Sequence, residues 1–419
     1  MGKNRGNANI DLPAHSLTKG ITSLYVLQAI NYVFPLITIP YLTRVLGVEA
    51  FGITQVTIAF ATIGSLIADW GFNYTGTQAV ARSAKTGSAL NKIASDTISA
   101  KLLLCFLWCA GILIWAVTVG KGLLHYHLLA LLITLSTTLT PTWLYQGLEL
   151  FQEIARINAI IRILTTILIF ALVREPDDMA LVILFTALHG FLVAAWLWTR
   201  ILRRGLRLHF PEMSAIRGTL RDGLEVFFTT ALTSSYTTGA VLAVAAIGGN
   251  EAAGAYAAVE RIISACKATM GPVVQVLYAR VSSYRQISRV QYMDVTFWPF
   301  SILFVFICAA TFLLIAGSPY FFDDLMKVPF EQIRLVLPIL ALTLPTLALA
   351  HWLVTIGLLA RGKRTEWMIV ILCGPAVGLL SGGALIGHAV AQDVVAVAVS
   401  ATEFTILMVG YFVWRKSWR

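Results

Sequence analysis

"NYVFPLITIPYLTRVLGVEAFG", Asn31 to Gly52, closes the first long apolar run of the chain and carries Pro35, Pro40 and Arg44. A proline removes a helical donor and crowds the turn before it. A helix in lipid therefore holds two only where neighbouring helices, hydroxyls or water satisfy the freed carbonyls. The stretch predicts a bent first span inside a helical bundle, and a bent span is suited to act as a gate. Arg44 then lies at the outer end of that helix, where it either snorkels to lipid headgroups or faces an anionic ligand in a cavity.

The rest of the chain is of the same kind: of 419 residues, 58% are hydrophobic and only 12% charged, and the mean hydropathy is +0.79. These values lie outside the range of soluble domains. A bilayer core about 30 Å thick needs about 20 apolar residues per crossing. Twelve runs qualify, near 21–43, 51–72, 97–118, 123–144, 157–173, 179–199, 224–247, 252–276, 295–316, 332–358, 367–389 and 393–414. The predicted class is an all-α polytopic membrane protein with 12 transmembrane helices.

The formal charge of +10 suggests nucleic acid only until the charges are located. With the N-terminus inside, inward tails and loops hold 23 of the 31 Lys and Arg, including Arg156 and Arg162, while outward loops hold five: Arg44, Lys121, Arg174, Lys327 and Arg334. The remaining three, Lys101, Arg261 and Lys267, lie inside spans. This asymmetry predicts cytoplasmic termini by the positive-inside rule, so no nucleic-acid partner is expected. The first nineteen residues are polar, and the run after them is too long and lacks the cleavage pattern of a removable signal peptide, so it is read as a retained anchor. All five cysteines fall inside spans; Cys105 and Cys109 share a helix face, and packing is their expected role.

Gly47-Val-Glu-Ala-Phe-Gly52 recurs as Gly249-Asn-Glu-Ala-Ala-Gly254, each after the first span of a set of six. An even number of spans gives both halves one orientation, related by an axis along the membrane normal, with a central cavity between two six-helix lobes. The expected organisation is a cytoplasmic tail (1–20), an N-lobe (21–199), a cytoplasmic linker (200–223), a C-lobe (224–414) and a C-terminal tail (415–419). The longest outward loop, Gly317 to Gln332, is too short for a catalytic domain. There is no GxxxxGK[ST], GxSxG or HExxH signature, and His125 and His127 diverge on a helix, so neither a cofactor nor a metal site is expected.

The eighth span, "AAGAYAAVERIISACKATMGPVVQV", holds three charges in an alanine-rich helix. Each costs about 2.5 to 3.5 kcal/mol at a helix centre, so this helix does not face lipid all round. Glu260, Ser264 and Lys267 share a stripe, with Arg261 about 100 degrees away. These residues either line a hydrated path or lock helices together through a local Glu260 pair with Arg261 or Lys267. Glu403, near mid-membrane in "VVAVAVSATEFTILMVGYF", is read as an ion-coupling carboxylate or an interhelical hydrogen bond. Asp69 and Glu225 fall near cytoplasmic ends, where exposure makes charge cheap; Asp69 is kept as a second ion-coupling candidate. His189 and His351 are read as packing groups.

At these residues a family resemblance appears. The opening stretch, "DWGFN" at Asp69 to Asn73, "PTWLYQGLE" at Pro141 to Glu149 and "AGAYAAVERIISA" at Ala253 to Ala265 together resemble the Wzx-type O-antigen and polysaccharide transporter family, over nearly the whole chain. The resemblance implies a MATE-like fold of the multidrug/oligosaccharidyl-lipid/polysaccharide exporter superfamily in the bacterial inner membrane. It also implies a flippase, not an enzyme, that moves undecaprenyl-diphosphate-linked oligosaccharide to the periplasmic leaflet for O-antigen, capsule or exopolysaccharide assembly. Implied partners are the lipid-linked oligosaccharide, membrane lipids, a proton or sodium ion, and a polysaccharide polymerase with its chain-length regulator. Arg44, Arg261, Lys267 and Glu260 would then meet the substrate, since a diphosphate needs cations and arginine offers a planar fork. Similar flippases often carry an arginine shortly after the GFN motif, where this chain has Gln78. The rival readings are a cation-coupled drug or small-solute antiporter, a glycan polymerase or ligase, and a scaffold.

Overall fold

The computed structural model describes residues 17–83, 87–118, 124–282, 284 and 287–418. Most of the tail at 1–20, together with Lys85, Lys121, Arg285 and Arg419, lies outside the described residues. Among the described residues there is no strand, as a bilayer demands of a chain whose backbone bonds must close within each segment. Among the described residues, ten helices are long and apolar enough to cross a membrane. Two of the ten contain a glycine outside helical dihedrals, so a count of twelve depends on taking each of these as two crossings.

The chain divides into two compact units, residues 1–34 with 56–234, and 35–55 with 235–419. The helices are α1 (Leu17–Asp69), α2 (Phe72–Arg82), α3 (Gly87–Thr118), α4 (Leu124–Leu139), α5 (Thr142–Gly147), α6 (Phe151–Leu172), α7 (Met179–Arg203), α8 (Met213–Ala268), α9 (Gly271–Ser282), α10 (Arg289–Pro319), α11 (Phe330–Ile333), α12 (Val336–Ala341), α13 (Thr343–Ala350), α14 (Arg364–Leu385) and α15 (Ala391–Lys416). Residues 35–55 thus group with the second unit, and residues 200–234 with the first.

The repeat explains the place of residues 35–55. Gly47 and Gly249 take left-handed φ values of 77° and 80°, which an L side chain adopts only at a cost of about 1 to 2 kcal/mol. Five residues beyond each, the two copies meet. A Cβ on Gly52 would stand 1.9 Å from the Asn250 carbonyl oxygen, and one on Gly254 would stand 2.1 Å from that of Val48. The crossing is reciprocal, backbone against backbone, as small residues permit between membrane helices. Gly254→Val is expected to abolish this approach. Its measure is the yield of monodisperse protein, which should fall severely, whereas Gly218→Ala, in open space on α8, should leave yield near wild type.

Within α1 the residue outside helical dihedrals is Gly47 (φ 77°, ψ 166°), a conformation that proline's fixed φ does not take. Arg156 and Arg162, both counted with the inward loops, lie inside α6, and Arg162 is within electrostatic reach of His189 on α7.

In the first unit, α2, α5, α6 and α7 enclose Trp143, Leu144, Tyr145 and Leu197, and the Tyr145 hydroxyl donates to the Leu197 carbonyl at 2.7 Å. The segment after α7 is anchored to α3, where the backbone N–H groups of Arg207 and His209 donate to Asn91 Oδ1 (2.9 Å) and Ser95 Oγ (3.0 Å). The start of α8 is held by Trp70, whose Nε1 donates to the Leu220 carbonyl at 2.8 Å and whose ring stacks on Phe227. In the second unit, Trp352 stacks on Phe300 at 4.8 Å and donates to Thr296 Oγ1 at 2.9 Å, and the Arg361 guanidinium lies 3.3 Å over the Trp418 ring.

Candidate functional site

The charged residues singled out in the eighth span lie on α8 beyond Gly249, on a helix whose Ala255, Ala257 and Ala258 are buried. Small side chains bring neighbouring helices close, so a polar group on this helix can meet a partner across a short gap. Glu260 accepts from the Ser264 hydroxyl one turn on and forms no ion pair among the described residues. The Arg261 guanidinium donates from Nε (3.2 Å) and Nη2 (3.1 Å) to the one oxygen Oε1 of Gln55, a residue only 6% exposed. A neutral amide holds this arginine, with no carboxylate paired to it among the described residues.

Lys267, given to substrate by the sequence reading, meets the ion-coupling candidate instead: its Nζ lies 3.7 Å from Glu403 Oε1, with the carboxylate 4% and the lysine 22% exposed. Glu403 Oε2 is buried with no hydrogen-bond partner among the described residues. Two further groups lie within electrostatic reach, Tyr236 of the glutamate and His351 of the lysine. His351 opens a π-helical turn, His351–Ile356, and such turns recur at functional sites; its Nδ1 lies 3.1 Å from the Thr355 hydroxyl.

Arg44 donates from Nε to the Leu325 carbonyl and from Nη2 to that of Asp324 at 3.3 Å. These carbonyls end the π-helical turn Tyr320–Met326, where a cation complements the helix dipole. Its side chain is exposed.

In the first unit, Asp69 is not a freely solvated charge. Its Oδ1 lies 3.0 Å from Nζ of Lys101, whose side chain is 4% exposed against 20% for the aspartate. Asp69 also borders a cavity of about 770 Å³ lined by the end of α1, α2, α5 and part of α8. Its walls include Ser65, Asn73, Thr77, Gln78, Thr142 and Gln146. No local pattern in the sequence assembles this cavity, although two of the quoted motifs, DWGFN and PTWLYQGLE, supply part of its lining. A second cavity, of about 290 Å³, lies in the second unit and is apolar, bordered by Gly239, Gly378, Gly382 and Val395. The rings of His125 and His127 separate as the helix dictates, His125 against Tyr126 and His127 against Phe60 and Trp115.

Residues 17–285 match the model of a family described as polysaccharide biosynthesis protein. A protein of Shigella dysenteriae named as an O-antigen transporter is 28% identical over 269 residues, covering 64% of this chain and 67% of that one. A protein of the same name from Escherichia coli strain K12 is 28% identical over 290 residues, covering 66% and 67%. Among solved structures, the chain is similar to a multidrug resistance MATE family transporter of the MOP superfamily in its inward-facing conformation (TM-score 0.61, 15% identity, 95% of this chain and 98% of that one). It is also similar to such a transporter in its outward-facing conformation (0.58, 14%, 99% and 98%). At these identities the structural likeness shows the fold, an all-helical polytopic membrane architecture.

Proposed function

Because the chain belongs to the polysaccharide biosynthesis protein family, we propose that it is a flippase of the bacterial inner membrane, with both termini cytoplasmic, which carries undecaprenyl-diphosphate-linked oligosaccharide from the cytoplasmic to the periplasmic leaflet for O-antigen or a related polysaccharide. It is a transporter, not an enzyme, in keeping with relatives that carry the name O-antigen transporter. The polyprenyl tail stays in lipid while the charged head crosses a hydrated, cationic path by alternating access. Neighbours known in both inward-facing and outward-facing conformations support that cycle.

The observation that carries the reading is Arg261. A guanidinium inside a membrane helix, held by the Gln55 amide and not by a carboxylate, retains its charge and its planar fork for phosphate oxygens. Arg44 and Lys267 would act with it and Glu260 would position Ser264. The test is to replace Arg44, Arg261 and Lys267 singly by Ala and by Glu and to measure arrival of lipid-linked oligosaccharide in the outer leaflet. Arg261→Glu should lower translocation at least about tenfold at normal protein level, since one charge-assisted bond contributes about 1.5 to 3 kcal/mol. Normal translocation by every variant would reject the cationic path.

A second reading, a cation-coupled drug or small-solute antiporter, is favoured by one feature, the buried Glu403 carboxylate. It predicts cation uptake into vesicles with no requirement for a lipid-linked sugar. In the flippase reading, the same carboxylate exchanges a proton or sodium ion against Lys267.

A further inference from the structure

We infer that the polar cavity of the first unit is the docking site for the uncharged sugars of the cargo. This rests on the flippase reading and adds to it the group of the cargo that this cavity takes.

Packing creates the cavity wall. On α2, Phe72, Gly76 and Val80 are buried on one side, and a Cβ on Gly76 would stand 3.1 Å from the Trp143 ring of α5. On the partner helix, a Cβ on Gly147 would stand 2.6 Å from Val80. The two motif segments thus interlock through glycine and leave their polar stripes on one void: Asn73, Tyr74, Thr77 and Gln78 from α2, and Thr142 and Gln146 from α5.

The chemistry of the wall selects its ligand. Among the described residues the side-chain amides of Asn73, Gln78 and Gln146 form no hydrogen bond with the protein, so each retains two donors and an acceptor for a solute. Tyr74, 68% exposed, offers a ring face beside them. Paired donors and acceptors next to an aromatic face match a pyranose, with its vicinal hydroxyls and apolar C–H side. The lining holds one ionisable carboxylate, Asp69, and that is matched by Lys101 at 3.0 Å. A diphosphate finds no uncompensated cation on this wall, whereas a neutral polyhydroxylated group finds many partners. A volume of about 770 Å³ lies within the range of small-molecule sites.

The test titrates the full-length protein in lipid nanodiscs with two probes. One is the undecaprenyl-diphosphate-linked oligosaccharide that accumulates in a host lacking this chain; the other is undecaprenyl diphosphate without sugar. Wild type should prefer the glycosylated probe, and N73A/Q78A/Q146A should lose roughly tenfold to a hundredfold of that affinity, with binding of the bare diphosphate within about twofold. Asn73 and Gln78 are exposed, and the single variant Gln78→Ala, expected to lose roughly threefold, gives a readout in which folding is undisturbed. Unchanged affinity of both variants for the glycosylated probe would overturn the inference and leave the flippase reading standing, as would a wild type that binds the two probes alike. A wild type that binds neither probe better than an unrelated anionic lipid would remove the flippase reading, and this inference with it.

Discussion

Asp69→Ala is expected to destabilise the protein by about 3 kcal/mol, and Lys101→Met by far less. Breaking a buried ion pair leaves the survivor uncompensated, and the penalty follows how deeply that survivor is buried. Here the survivors differ. Lys101 has 4% of its side chain exposed and depends on the carboxylate 3.0 Å away, whereas Asp69 has 20% exposed and borders the polar cavity, where water takes the place of the ammonium. Chemical unfolding of the purified protein measures both variants, and the double variant D69A/K101M should recover most of the loss, since a methionine fills the lysine's path without a charge. Equal losses in the two single variants would show that the pair is solvated alike at both ends.

The same pair shows where a single sequence becomes silent. Hydropathy placed the membrane runs, because each must supply enough apolar length to cross the bilayer, and helical spacing put Glu260 and Ser264 on one stripe, where the structure joins them. Both depend on residues within a turn or two of one another. Asp69 with Lys101, Lys267 with Glu403 and Arg44 with the carbonyls of Asp324 and Leu325 unite separate helices, and no local periodicity encodes which stripe meets which. Asp69 was therefore read as solvated from its place at a span end, although its neighbour is a buried lysine. The two glycines of the repeat serve α1 differently: Gly47, in open space, takes the non-helical φ, and Gly52 permits the close approach to the Asn250 carbonyl. The repeat held that information, but only as six residues until the two copies were seen to cross. The cavity of the first unit was spelled out in the GFN and PTWLYQG motifs, yet it emerges only once α2 and α5 pack.

Glu403 and Lys267 should separate stability from coupling. Lys267→Ala leaves the Glu403 carboxylate, 3% exposed, with an unpartnered Oε2 and no ammonium at Oε1; removing one member of such a pair costs about 3 to 5 kcal/mol. Glu403→Gln is milder, because a buried amide costs less than a buried unpaired carboxylate and Lys267, 22% exposed, keeps contact with water. The double variant K267M/E403Q should regain near-wild-type unfolding free energy, as an apolar and a neutral group replace two opposed charges. Transport should not follow stability. If the carboxylate carries the coupling ion, both E403Q and K267M/E403Q fold well and E403Q binds lipid-linked oligosaccharide, yet translocation in vesicles by either ceases to respond to an imposed proton or sodium gradient. A purely structural pair gives the other outcome, in which gradient-driven translocation by the double variant returns together with its stability. Parallel assays of unfolding and of gradient-driven transport on these three variants therefore decide whether the charge pair between α8 and α15 is a helix lock or the ion-responsive element of the cycle.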